Sequence, residues 1–247
     1  MKDRFSSNSA DYAHFRPNYP IGLFQWLASL TDNQNCWDVG TGNGQAAIQL
    51  ATIFTSVEAT DISEEQLKQA IPYPAIRYSK QAAESTTFPN HHFNLVIVAQ
   101  AVHWFQFDSF YQEVRRTTAK NGILALIGYN RPTISPTIDD LITHFYHDII
   151  GSYWDVERRH IDANYQTIPF PFKQACPPAD LQLTMPFKWT AEHLIGYLGT
   201  WSAVKKYTQA TGQDPVRVIT EDLRKAFITE TMPVHFPLLL KIGQIHG

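Results

Sequence analysis

Three glycines alternate in the run Asp38-Val39-Gly40-Thr41-Gly42-Asn43-Gly44, directly after a short apolar segment. Glycine at this spacing lets a chain turn sharply and lets its backbone approach a ligand closely. Asp38 narrows the choice of ligand. Loops of this kind that lead into a helix collect phosphate groups, and a carboxylate there would repel them. S-adenosylmethionine carries no phosphate but has an ammonium and a sulfonium, which an acid can attract directly or through water. Gln45 also stands where the dinucleotide fingerprint requires its last glycine. Asp61 ends the next apolar run, 21 residues after Gly40, where a carboxylate can accept hydrogen bonds from both ribose hydroxyls. A nicotinamide-dependent oxidoreductase is the competing reading, and Asp38 and Gln45 speak against it. A catalytically silent relative that binds the cofactor is a further alternative.

Other side chains bear on a second ligand. Arg16 and Tyr12 precede the first apolar run, and an arginine there can pair bidentately with a cofactor carboxylate. His103 and Trp104 follow the run Leu95–Ala99, at the carboxyl end where open α/β sheets place ligands. His103 is a candidate general base for a hydroxyl or amine acceptor, or a packed histidine that shapes the pocket. Trp154, Arg158, Arg159 and Trp201 are candidates for a substrate-binding cap, since arginine holds an acidic small molecule through two parallel hydrogen bonds. His144 and His147 are three apart on an expected helix, yet no cysteine or carboxylate cluster completes a site, so no metal is expected. His91 and His92 read as solvated loop residues.

These residues need a scaffold of alternating strands and helices. Cys36–Val39, Val57–Asp61, Ile76–Lys80, Leu95–Ala99 and Ile123–Tyr129 read as strands. Helices are expected over Gln45–Phe54, Glu64–Ala70 with Ser63 as N-cap, and around Phe107–Thr118. Such alternation implies an α/β fold, a doubly wound parallel sheet. Downstream, a helix is expected over Pro136–Ile150, late strands over Leu181–Trp189 and Val234–Ile242, and helices near Ala191–Lys206 and Asp214–Glu230. The stretch between Gly151 and Pro178 is rich in proline and large aromatics, as suits an irregular insertion or cap in one domain spanning the 247 residues.

Composition restricts the class further. Hydrophobic residues make up 44% and charged residues 17%, which describes an ordered globular chain. The net charge of −3 and the lack of a basic run argue against nucleic acid and favour a small-molecule substrate. The two cysteines, Cys36 and Cys176, cannot build a disulfide framework. Residues 1–7 carry no apolar leader and no run is long enough to span a membrane, so a cytoplasmic location is expected.

At these residues the sequence resembles the small-molecule branch of class I S-adenosylmethionine-dependent methyltransferases, in particular enzymes similar to trans-aconitate methyltransferase. The resemblance rests on Phe5-Ser6, Tyr12–Pro20, Asp38–Gly44, Asp61, Ala83-Glu84, Gln100–Phe105 and Gly199–Ala203. It implies a Rossmann-like seven-stranded sheet with helices on both faces and the last strand antiparallel. It also implies that Asp38 and Gly40 face the methionine part of the cofactor and Asp61 the ribose, with Ala82 and Ala83 beside adenine and Gln100 near the sulfonium. Ala82 stands where many relatives carry an acid, and Asn94 where an aspartate is usual.

Overall fold

The computed structural model describes residues 14–179, 181 and 184–246. Its elements in chain order are α1 (Ile21–Ser29), β1 (Asn35–Val39), α2 (Gln45–Leu50), β2 (Ser56–Asp61), α3 (Glu64–Lys68), β3 (Ile76–Lys80), β4 (Phe93–Ala99), α4 (Phe107–Thr117) and β5 (Thr118–Tyr129). There follow α5 (Pro136–His144), a wide π-turn (Phe145–Ile149), short 3-10 turns, α6 (Arg159–Asp162), β6 (Lys173–Gln174), β7 (Thr184–Trp189), α7 (Ala191–Gly199), α8 (Ser202–Thr211), α9 (Arg217–Ala226) and β8 (Met232–Gln244).

One mixed sheet runs in the order β3-β2-β1-β4-β5-β8-β6, with β7 also paired to β8. The first five strands are mutually parallel, and β8 lies antiparallel on β5. The fold is therefore the expected Rossmann-like one, with eight strands because β8 is long enough to pair with β5 through its second half and β7 through its first. β4 shows why the sheet is covered on both faces. Its Leu95 and Ile97 enter one buried cluster with α1, α2, α7 and α9, whereas Val96 and Val98 enter another with Phe110 and Val114 of α4. Side chains alternate across a strand, so a continuous apolar run needs helices above and below.

Ser63 caps α3 by accepting a hydrogen bond from the Gln66 backbone N–H at 3.3 Å, as its residue type led us to expect. Two expected helices are interrupted. The segment expected over Ala191–Lys206 breaks after Gly199, where the Thr200 hydroxyl donates to the Tyr197 carbonyl at 2.6 Å and Trp201 turns extended. The segment over Pro136–Ile150 widens after His144 into the π-turn, closed by Ile150 N–H on the Phe145 carbonyl. Both interruptions carry aromatic side chains, Trp201 and Tyr146, into one buried cluster. Among the described residues no helix is long and apolar enough to cross a membrane.

Candidate active site

The carboxyl ends of β1, β2, β4 and β5 surround a cleft lined by Gly40–Asn43, Asp61–Ser63, Gln66, Gln100, Ala101, Trp104 and Tyr129. The glycine loop owes its shape to left-handed backbone. Gly40 has φ +68 and a Cβ there would stand 2.7 Å from the Ala101 Cβ, so only glycine lets the loop lie against the turn after β4. Gly42, at φ +58, lines the cleft instead, and among the described residues only the Gln66 Oε1 lies within 4 Å of where its Cβ would be, at 3.8 Å.

Asp61 fastens this loop. One carboxylate oxygen accepts the Gly42 N–H at 2.8 Å and the other accepts the Ser63 N–H at 2.8 Å. A carboxylate oxygen can accept more than one hydrogen bond, so holding the loop does not by itself bar Asp61 from a ligand. Asp38 lies behind the loop, fully buried, and is not part of the cleft wall. Its Oδ2 accepts the Thr41 hydroxyl at 2.6 Å, and its Oδ1 has no hydrogen-bond partner among the described residues. Burial raises its pKa to about 7, against the Thr41 hydrogen bond that lowers it, with the nearby Asp61 adding to the rise. Its place is therefore to shape the loop from beneath.

Gln100 occupies the hinge between this cleft and a second one. It holds φ +55, unusual for a residue with a side chain, while its backbone N–H bonds the Ile127 carbonyl and its Nε2 bonds the Tyr129 carbonyl, both at 2.9 Å. Its Oε1 is buried with no partner among the described residues. The second cavity is lined by Arg16, Gln100, His103, Trp104, Trp154, Asp155, Arg158, Ile161, Trp201 and Ser202, so Gln100 and Trp104 belong to both walls.

The two arginines here differ. All three nitrogens of the Arg16 guanidinium donate to the protein. Nε bonds the Thr200 hydroxyl at 2.9 Å, Nη1 the Tyr129 hydroxyl at 3.2 Å and Nη2 the Thr200 carbonyl at 3.3 Å. Arg158 uses only Nε, which donates to the Tyr146 hydroxyl at 2.9 Å, and its guanidinium stacks 4.7 Å from the Trp154 ring. Among the described residues its two terminal nitrogens have no hydrogen-bond partner, although its side chain is only 16% exposed. His103 lies beside it, buried, with Nδ1 unpartnered among the described residues. Burial, then the Arg158 cation, then His160 lower its pKa to about 3, so the ring stays neutral near pH 7.

The cavities thus gather Gly40, Gly42, Asp61 and Gln100 around the glycine loop, and Arg16, His103, Trp104, Trp154, Arg158 and Trp201 in the other. Arg16, expected on the cofactor, lines the second cavity and is bonded to Thr200 and Tyr129. Arg159 is exposed and lines neither cavity, because the turn that buries Arg158 directs its neighbour outward. Gly44 caps α2 under the Tyr78 ring, and Ala82 and Ala83 lie past β3; none of the three is in the cleft wall. Tyr12 lies outside the described residues. Sequence reasoning missed Ile62, Tyr19 and Tyr129. Ile62 carried a usable signal, an apolar side chain directly after the strand-end acid.

The cleft fits S-adenosylmethionine. A space over Gly42 that is open among the described residues, a strand-end carboxylate at the cleft wall and a Gln100 amide oxygen with no partner among the described residues suit a nucleoside joined to a cationic, hydrogen-bond-donating tail. Strand order with an antiparallel β8 beside β5, together with this cleft, defines a class I methyltransferase fold. Residues 37–126 match the methyltransferase domain family. A protein of Dictyostelium discoideum named as a methyltransferase is 32% identical over 98% of this chain and 95% of its own length. A solved structure from Anaeromyxobacter dehalogenans, described as a type II methyltransferase, is 36% identical, with a TM-score of 0.84 over 94% of this chain and 98% of that one. A methyltransferase structure from an antibiotic biosynthesis pathway of Anabaena variabilis shares the fold at 15% identity, with a TM-score of 0.55 over 89% and 97% of the two chains. The chain belongs to the methyltransferase family and is an S-adenosylmethionine-dependent enzyme. The nicotinamide reading falls.

Proposed function

We propose that this enzyme methylates a small organic acid whose carboxylate is held by Arg158 in the cavity beyond Gln100, as an enzyme similar to trans-aconitate methyltransferase would. The observation that carries the reading is the uncommitted end of a nearly buried guanidinium. The two terminal nitrogens meet no protein acceptor among the described residues and belong to a side chain that lines the cavity, and a carboxylate satisfies both donors at once.

Bound S-adenosylmethionine supplies a methyl group already activated by its sulfonium. The side chains then have to orient the acceptor and exclude water. Arg158 fixes the acid, Trp104, Trp154 and Trp201 form apolar walls, and Arg16 braces the joint between β5 and the α7–α8 turn. A carboxylate is its own nucleophile, so no general base is required. The neutral, weakly basic His103 suits that chemistry and serves as a wall and hydrogen-bonding group. The enclosed, tryptophan-lined shape favours a small molecule over a nucleic acid.

The test is a mass-spectrometric methyl-transfer screen over mono-, di- and tricarboxylic acids, followed by kinetics on two adjacent arginines. Arg158→Ala should raise the acceptor KM by about 10- to 100-fold, as loss of a charged hydrogen-bonding pair does. Arg159→Ala should leave it unchanged. Methylation of no acid, or equal losses in both variants, would overturn the reading.

A further inference from the structure

The proposed hold on the acceptor depends on how Arg158 presents its free end, and that orientation is set by groups that themselves line neither cavity. Tyr146 lies in the π-turn after α5, its ring buried between the guanidinium of Arg131 at 4.6 Å and that of Arg158 at 5.4 Å. Its hydroxyl accepts the Arg158 Nε–H at 2.9 Å and donates to the Asp162 Oδ1 at 2.7 Å. Asp162 also lies 3.6 Å from Arg158 Nε, as an ion pair across one turn of α6. Trp154 closes the group, stacking on Tyr146 at 4.7 Å and donating its indole N–H to the Tyr146 carbonyl at 3.2 Å.

We propose that Tyr146 and Asp162 form a relay that positions Arg158, occupying its Nε so that the two terminal nitrogens alone face the acceptor. A guanidinium is a planar fork, and fixing Nε and one face fixes the direction of the other donors. Without the relay, the same arginine could turn its Nε edge to the ligand or pair directly with Asp162, only 3.6 Å away. Tyr146 has one proton to give, so its donation to Asp162 leaves the oxygen lone pairs facing Nε. Burial raises its pKa, which keeps the hydroxyl protonated and the chain of donors in one direction. The π-turn matters because widening the helix after His144 is what brings Phe145 and Tyr146 inward together. Tyr146 and Asp162 are positioning residues, since they act through Arg158.

This inference rests on the organic-acid reading, and the test separates the two. Acceptor and cofactor kinetics would be measured with the acid found in the screen, for Tyr146→Phe, Asp162→Ala, Asp162→Asn and the Tyr146→Phe/Asp162→Ala pair. Phenylalanine keeps the ring stacking and removes only the hydroxyl. Tyr146→Phe should raise the acceptor KM about tenfold and lower kcat less, the loss of one buried hydrogen bond to a charged group. The KM for S-adenosylmethionine and the Tm should stay near wild type. Asp162→Asn retains a carbonyl acceptor for the tyrosine and should recover most of what Asp162→Ala loses. The double variant should be no worse than Tyr146→Phe, because an acid acting through that hydroxyl has nothing left to act on. Additive losses, or an equal rise in both KM values with a lowered Tm, would overturn the relay and leave a purely structural tyrosine. If Arg158→Ala is impaired while Tyr146→Phe matches wild type, the relay alone falls. If the screen finds no acid, or Arg158→Ala equals wild type, the organic-acid reading falls and takes the relay with it.

Discussion

The glycine-loop cleft and the cavity beyond Gln100 share a wall but are built in opposite ways. The cleft is mostly backbone. Gly40 and Gly42 in left-handed conformation, with the Gly42 and Ser63 N–H groups on Asp61, define it within 24 residues of sequence. The cavity is mostly side chain: three tryptophans, two arginines and a histidine drawn from before α1, after β4, from the turns before α6 and from the α7–α8 break. The family match, residues 37–126, covers the strands that carry the first and none of the turns that carry Trp154, Arg158 and Trp201. A backbone site tolerates drift of the surrounding side chains. A side-chain site can be re-specified by changing a few of them. That division suits an enzyme family with one cofactor and many acceptors.

The comparison breaks if a change in one half moves the other ligand. The largest effect is expected from Gly42→Val. The new side chain would project into the cleft and force a β-branched residue to φ +58, with its Cβ meeting only the Gln66 Oε1, at 3.8 Å, among the described residues. Cofactor binding should fall by about 100-fold or more, from steric exclusion and from backbone strain of roughly 1–2 kcal/mol. Calorimetry with S-adenosylhomocysteine reads the loss, and a cooperative melt with Tm lower by only a few degrees would show that the fold survives. Normal affinity would move the cofactor away from this loop. Asp61→Ala comes next, with cofactor affinity lower by about 1.5–3 kcal/mol, as for hydrogen bonds to a charged group. Part of that loss arises because the Gly42 and Ser63 N–H groups lose their acceptor. Acceptor KM should be unaffected in this variant. Unchanged cofactor affinity would remove Asp61 from the ligand's reach.

Sequence reasoning succeeded where the cause is local. The glycine spacing, Asp61 at a strand end and the Ser63 cap each follow from residues within a few positions, and β4 follows from an unbroken apolar run. It failed where the cause is distant. Arg16 is committed to Thr200, 184 residues away, so its distance from the cofactor cleft depends on a helix break that its own neighbourhood does not encode. Arg158 and Arg159 are indistinguishable as a pair of letters. Only the hydroxyl of Tyr146 and the ring of Trp154 decide which of them turns inward. Asp38 reads as a ligand contact from its spacing, and the structure shows it buried beneath the loop with Thr41 on its Oδ2.

The smallest effect on turnover is expected at His103, which offers the sharpest check on the acceptor side. Removing a true general base costs about 10²- to 10⁴-fold, whereas His103→Gln should change kcat by no more than about threefold near pH 7.5. Its role should appear in stability at acid pH. Burial and the Arg158 cation lower its pKa from 6.5 to about 3, so between these values the unfolded chain holds a proton that the folded protein refuses. Stability from His103 is therefore complete above pH 6.5 and is lost as pH falls toward 3, with a slope of at most about 1.4 kcal/mol per pH unit. Asp38, raised from 3.8 to about 7, has the opposite sign: its contribution is complete below 3.8 and is lost as pH rises through 7. Between pH 4 and 6.5 the two slopes oppose each other, one from each half of the site. His103→Gln removes the His103 slope and keeps that of Asp38, so its Tm should decline less than wild type on acidification from pH 7 to 5. A wild-type-like acid decline would show that His103 is not held neutral. A large kcat loss would make it a base and turn the acceptor from a carboxylate into a hydroxyl or amine.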